Sequence, residues 1–124
     1  PTVIELIQAL EARQQSVDVY PITVDERVVL VPTAEIIALE VYGNDVTLYT
    51  VEATYQIRGV LKKILSKLNQ QDFIQVAKGA AINLNHLQSL EAAFSGSMTA
   101  FLTNQLKMSV SRKYLPELRQ QLGM

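Results

Sequence analysis

Lys78 stands between Ala77 and Gly79, two residues too small to shield it, in a break between the apolar runs Phe73–Val76 and Ala80–Ile82. Its ammonium must project outward, where it suits phosphate or a guanine edge, although a point charge reads bases less selectively than a bidentate guanidinium. A second cationic pair, Arg112-Lys113, follows the strand-like run Leu106–Val110 and precedes a helical pattern. The planar fork of Arg112 fits O6 and N7 of guanine. Ser111 and Lys113 carry donors suited to phosphate, which fix register without conveying sequence. Both segments put cations where chain elements meet. An alternative use of Arg112, an ion pair with Glu117, spans five positions, which is poor helical spacing.

The charge split, read alone, is ordinary solvated surface, but its positive half also contains both cationic segments, which turns the reading toward a polyanionic partner despite a formal net charge of −1. Residues 56–124 hold nine of the 11 Lys and Arg but only three of the 12 Asp and Glu, so the chain is electrically polar along its length. Such asymmetry is a hint of nucleic acid, because phosphate neutralisation with counterion release supplies most non-specific affinity. Other chemistries find less support. Zero cysteines exclude disulfides and thiolate metal sites, and the single histidine, His86, has no flanking carboxylate cluster. In an Asn-Leu-Asn-His-Leu setting His86 reads as a turn or surface residue rather than a base. Tyr42, Tyr49 and Tyr55 lie on expected strands, but no RNA motif accompanies them, so packing is their better account.

With 124 residues, 48% of them hydrophobic, one compact domain is expected. No apolar run is long enough to cross a bilayer, and no signal-peptide order is present at the start, so a soluble, cytoplasmic protein is expected. Thr2-Val3-Ile4-Glu5 fits a capping box and opens helical spacing to about Gln15. Short β-branched and aromatic runs follow: Val17–Val24, Arg27–Val31, Ile36–Tyr42, Val46–Thr50 and Thr54–Ile57, with turns at Asp25-Glu26, Gly43-Asn44-Asp45 and Val51-Glu52-Ala53. After Gly59, the residues Val60, Leu61, Ile64, Leu65 and Leu68 share one helical face, with Lys62, Lys63 and Lys67 opposite. The lysine face has two readings, ordinary solvated surface, which is the commoner, or a flank facing phosphates. Leu87–Ala93, Met98–Thr103 and Leu106–Val110 read as a meander. Tyr114, Leu115, Leu118 and Leu122 close the chain with a short amphipathic helix, Pro116 being tolerable only in its first turn.

Phe73-Ile74, Lys78, Ile82-Asn83 and Val110-Ser111-Arg112, in this order and at this spacing, resemble the LytTR-type DNA-binding domain of bacterial transcription regulators. The resemblance covers roughly residues 20 to 122. It implies a mainly β fold with helices (α+β), elongated, with a lead-in helix, a mid-chain helix and a short C-terminal helix. It also implies sequence-specific binding of duplex DNA through loops in the major groove, with no enzymatic activity, no cofactor and no metal. Family members use the Arg of Val-Ser-Arg, here Arg112, against bases, and a third contact region falls on Gly43-Asn44-Asp45-Val46. There Asn44 suits adenine, while Asp45 is repelled by phosphate unless it accepts from cytosine. The expected DNA-contacting set is therefore Asn44, Asp45, Val46, Gln75, Lys78, Gly79, Ser111, Arg112 and Lys113. Ala77-Lys78-Gly79 departs from the His-Arg-Ser common in the family and keeps only the cation, and Gln75 stands where Arg is frequent; modest affinity is implied.

The same resemblance implies a homodimer on repeated DNA sites and, by analogy with small stand-alone members, a regulatory membrane protein as partner. Residues 1–16 would be a lead-in helix and residues 17–124 the DNA-binding domain. Pro1 fits either removal of a methionine or a chain that continues a longer N-terminus. Two other functions compete. Pro1 could serve as the secondary-amine base of a tautomerase-like enzyme, against which the helical spacing of Thr2–Gln15 argues. A protein-interaction module without DNA binding would show no salt-sensitive affinity for a duplex.

Overall fold

In the computed structural model the described residues are Val3, Ile4 and residues 18–124. The expected lead-in helix therefore lies, apart from Val3 and Ile4, outside the described residues. From Asp18 onward the chain is built of ten strands and two short helices in three sheets. β1 (Val19–Val24) and β2 (Arg27–Pro32) form an antiparallel hairpin closed by Asp25-Glu26, both at positive φ (48° and 67°). That is the twist-matching turn of two-residue hairpins, here made without glycine.

The central sheet contains β3 (Ile36–Tyr42), β4 (Asp45–Thr50), β5 (Thr54–Arg58), β6 (Phe73–Ala77) and β7 (Ala80–Asn83), in the order β5-β4-β3-β7-β6. A three-stranded meander, β8 (Leu87–Ala92), β9 (Met98–Leu102) and β10 (Lys107–Val110), forms the third sheet. Helix α1 (Leu61–Ser66) follows β5, and helix α2 (Leu115–Gln121) follows a single 3-10 turn at Arg112–Tyr114.

Two apolar clusters flank the central sheet. Ile22 and Val31 of the hairpin and Leu61, Ile64 and Leu68 of the α1 segment pack with Leu39, Leu48 and Phe73 on one face. On the other face Ala38, Ile74 and Ile82 meet Ala100, Leu102, Met108 and Val110 of the meander and Leu115 and Leu118 of α2. A sheet covered on both sides needs near-continuous apolar strands, and Ile36–Leu39 and Ala80–Ile82 are buried without interruption. In β10 one side is core and the other polar, with Met108 and Val110 buried against exposed Lys107 and Ser109, as alternation requires.

The α1 face departs from its expected form at one residue. Val60 is 59% exposed, because its backbone is extended (φ −110°, ψ 127°) and the helix begins only at Leu61. Leu61, Ile64 and Leu68 are buried as the spacing requires, and Lys62, Lys63 and Lys67 are exposed. Among the described residues no helix is long and apolar enough to cross a membrane.

Polar side chains clamp the layers at the ends of the strands. Asn83, fully buried, donates from Nδ2 to the Ile36 carbonyl at 2.9 Å and accepts the Asn85 amide at 3.0 Å. His86 donates from Nε2 to the Ala34 carbonyl at 2.7 Å, since a carbonyl can only accept, and its Nδ1 lies 2.8 Å from the Thr103 hydroxyl. Asn104 donates to the Val51 carbonyl at 2.9 Å. His86 is thus a structural tie between the central sheet and the meander. Replacing Asn83 by Ala strands the Ile36 carbonyl and the Asn85 amide together, at a cost of about 1–3 kcal/mol. Urea unfolding of Asn83→Ala should show that loss as a lowered midpoint, and an unchanged midpoint would show that Asn83 does not tie β7 and its following turn to β3.

Candidate nucleic-acid interface

Three separate loops converge on one end of the central sheet, and backbone hydrogen bonds fix their relation. The β3–β4 turn, Gly43-Asn44, has Gly43 at φ +60°, a left-handed value that glycine adopts without steric cost. The β6–β7 turn carries Lys78-Gly79, and its Gly79 carbonyl accepts the Val41 amide at 2.7 Å, tying this turn to the end of β3. Gly79 lies close against β3: a methyl there would sit 3.3 Å from Val41 Cβ. On the other side the Ser111 amide donates to the Val76 carbonyl at 2.8 Å, which brings the end of β10 to the end of β6. Asn44, Lys78 and Ser111-Arg112-Lys113 thereby share one end of the molecule although they lie more than 30 residues apart in sequence.

The individual side chains are placed as follows. Lys78 is exposed, and Gln75 donates from Nε2 to the Lys78 carbonyl at 3.0 Å, so Gln75 braces the turn and leaves its amide oxygen outward-facing chemistry only as an acceptor. Asn44 is exposed at the turn tip. Asp45 is register partner to Arg58, whose Nε approaches Asp45 Oδ1 at 3.9 Å on an open surface. Val46 is fully buried, so its side chain anchors the turn in the core and is closed to a ligand. Arg112 and Lys113 are exposed; the Lys113 ammonium lies 5.8 Å from the centre of the Tyr114 ring. The stem of Arg112 runs across Gly96 of the β8–β9 turn, where an added Cβ would stand 2.7 Å from Arg112 Cδ.

Two residues outside the expected set belong to the same surface. Lys62, at the start of α1, lines an open groove with Asn44, Val41, Gln75 and Lys78. Arg58 offsets the carboxylate of Asp45. The sequence signal for Lys62 was the lysine face of α1, whereas Arg58 is set apart only by the register of β5 against β4, which puts it opposite Asp45. Two further acids stand near this end, Glu117 of α2, which lines a second groove with Lys62 and Gln75, and Glu40 of β3. Glu40 Oε1 accepts the hydroxyls of Tyr42 at 2.8 Å and Tyr49 at 3.1 Å. That hydrogen bond to Glu40 holds the Tyr42 phenol above its ordinary range, while burial first and Glu40 second raise that of Tyr49. Both phenols therefore stay protonated donors that cap the carboxylate.

An end of a sheet that presents Asn44, Lys62, Lys78, Arg112 and Lys113 on rigid turns is suited to phosphates and base edges. The sequence model of the LytTr DNA-binding domain matches residues 26–123. The chain belongs to the LytTr DNA-binding domain family. A LytTr relative, the sensory transduction protein LytR of Staphylococcus epidermidis, is 34% identical over 106 residues, covering 86% of this chain and 42% of that protein. The LytR of Streptococcus agalactiae is 30% identical over 112 residues, covering 90% and 46%. The transcriptional regulatory protein LytR of Staphylococcus aureus is 23% identical over 104 residues, covering 84% and 42%. This chain thus spans less than half the length of these curated relatives. A solved LytTr DNA-binding domain of a response regulator from Bacillus cereus superposes with a TM-score of 0.78 at 20% identity, covering 86% of this chain and 97% of that one, which shows the shared fold.

Gly96→Ala tests how the LytTr fold positions Arg112. The new methyl displaces the Arg112 stem, and φ at residue 96 is +80°, which costs a side chain about 1–2 kcal/mol. Denaturation should report that loss of stability, and titration with a preferred duplex should report weaker binding; unchanged affinity would mean that Gly96 has no part in aiming Arg112.

Proposed function

We propose that this chain is the DNA-reading module of a bacterial transcription regulator, docking the end of its central sheet on duplex DNA with its loops in the major groove. The observation that carries the reading is the joining of the Gly43-Asn44 turn, the Lys78 turn and the Ser111–Lys113 junction by the Val41–Gly79 and Ser111–Val76 hydrogen bonds, at 2.7 and 2.8 Å. In this reading Arg112 forms a bidentate contact with guanine and Asn44 pairs with adenine. Lys62, Lys78, Ser111 and Lys113 hold phosphates, and Gln75 and Gly79 shape the Lys78 turn. Arg58 keeps Asp45 from repelling the backbone.

The module binds rather than catalyses, acts as a homodimer on repeated sites, and works in the cytoplasm. Its input comes from another protein or another segment, of which a restraining membrane protein is one form. The names of the LytR relatives, with sensory transduction and transcriptional regulation in them, support this reading.

Selection of bound duplexes from a random pool supplies the test site. Affinity for it should fall steeply with salt, because each neutralised phosphate releases counterions. Affinity that stays flat between low and moderate salt would refute the reading. Arg112→Ala should cost about 1–3 kcal/mol and relax preference at one base position, whereas Lys113→Ala and Lys62→Ala should weaken all sequences nearly alike and lower the salt slope by about one each. Binding to the site and its single-base variants separates these roles. If Arg112→Ala lowers affinity uniformly, Arg112 is a phosphate contact and the base assignment is wrong.

A further inference from the structure

Phe94 is 93% exposed, an aromatic ring left in water at the tip of the β8–β9 turn. Among the described residues Phe94 is the most exposed large apolar side chain, and the turn that carries it is well defined. The Ala93 amide donates to the Ser97 carbonyl at 3.0 Å, and the Phe94 carbonyl accepts both the amide and the hydroxyl of Ser97, at 3.1 and 2.7 Å. Ser95 and Gly96 take left-handed conformations, φ 58° and 80°. The backbone that bears the exposed ring is therefore fixed.

Its position in the fold ties it to the reading proposed above, on which this inference rests. Ala92 pairs with Met98 and Met98 with Val110, so the turn stands beside Ser111-Arg112 at the same end of the meander. Gly96, two residues from Phe94, bears the stem of Arg112 directly. Two residues of a tight turn span no more than about 7 Å between Cα atoms, so the ring is borne within that distance of the glycine that the Arg112 stem crosses. Residues 92–116 contain Lys107, Arg112 and Lys113, and the acids that bound them are Glu91 on β8 and Glu117 in the first turn of α2, so cations outnumber acids around this turn. On the major-groove edge of a base pair the one apolar feature is the C5-methyl of thymine, and a phenyl ring is a suitable contact for it.

We propose that Phe94 is a further specificity determinant beside Arg112 and Asn44, an apolar contact for the methyl group of a thymine within one or two base pairs of the base read by Arg112. The test uses the full chain and its selected duplex, with each thymine replaced in turn by deoxyuridine, which removes the methyl and keeps every hydrogen-bonding group. The wild-type protein should lose about three- to tenfold in affinity at one such position. Phe94→Ala should bind the thymine duplex weaker by the same factor and show no further loss with deoxyuridine, while Phe94→Leu should retain part of the discrimination. A thermal melt of each variant checks that the exposed substitution leaves the fold intact.

Three results would overturn the proposal: a wild-type protein indifferent to every deoxyuridine, a Phe94→Ala variant that keeps the wild-type sensitivity, or one that binds the thymine duplex as tightly as wild type. If in any of these cases salt-sensitive binding and the Arg112→Ala effect persist, the Phe94 assignment alone fails. If the wild-type protein binds no duplex, the functional reading fails with it.

Discussion

Burial of β3 and β7 on both faces is the constraint on which the rest of the structure depends. Ile36, Ile37, Ala38 and Leu39 are completely shielded, and so are Ala81 and Ile82 beside them. A strand with two dry faces cannot leave a backbone polar group unpaired or slip its register, because each slip would exchange the residues offered to the two cores. Both cores must then be supplied by the remaining elements, the hairpin and α1 on one side and the meander and α2 on the other. Burying a side chain such as Leu39 or Ile82 contributes about 1.5–3 kcal/mol relative to exposure, so these few residues outweigh any single surface ion pair.

Placement of the loops follows from that packing. The small side chains Ala80 and Ala81, and Gly79 against Val41, let β7 lie close to β3, and the Gly79 carbonyl then reaches the Val41 amide. The meander is held at its far end by His86 and Asn104, which leaves its near end to meet β6 through Ser111 and Val76. Binding groups thus sit on short turns whose ends are fixed by a core, and little ordering remains to be done when a ligand arrives. Of the acids near this end, Asp45 faces Arg58 and Glu40 accepts from two phenols.

Much of this was legible in residue types. β3 was recognisable because a β-branched and apolar run ends at Gly43-Asn44, whose turn chemistry is strong, and the structure returns Ile36–Tyr42 unchanged. The meander was recognisable from its turn residues, and Lys78 from its small neighbours. Other parts depend on pairings that no local window contains. Val46 lies within a contact region by its place in the chain, yet the alternation of β4 turns it into the core. Val60 fits the helical spacing, but the helix starts one residue later. His86 shows no partner in sequence because Ala34 and Thr103 are brought to it by the packing of two sheets. Asn83, part of the family pattern, proves to be a buried structural group. Phe94 looks like any other apolar residue until the Ser95-Gly96 turn is seen to leave it in water.

The central claim is that one end of the central sheet, assembled from loops distant in sequence, is the surface that meets duplex DNA. Backbone amide chemical shifts recorded during titration with a selected duplex test it most directly. Large changes are expected at residues 41–45, 61–63, 77–80, 93–97 and 111–114. The turns at the opposite end, 33–35, 51–53 and 103–105, should keep their shifts. Changes concentrated at that opposite end or on the β1–β2 hairpin, with the Asn44, Lys78 and Arg112 loops silent, would contradict the account.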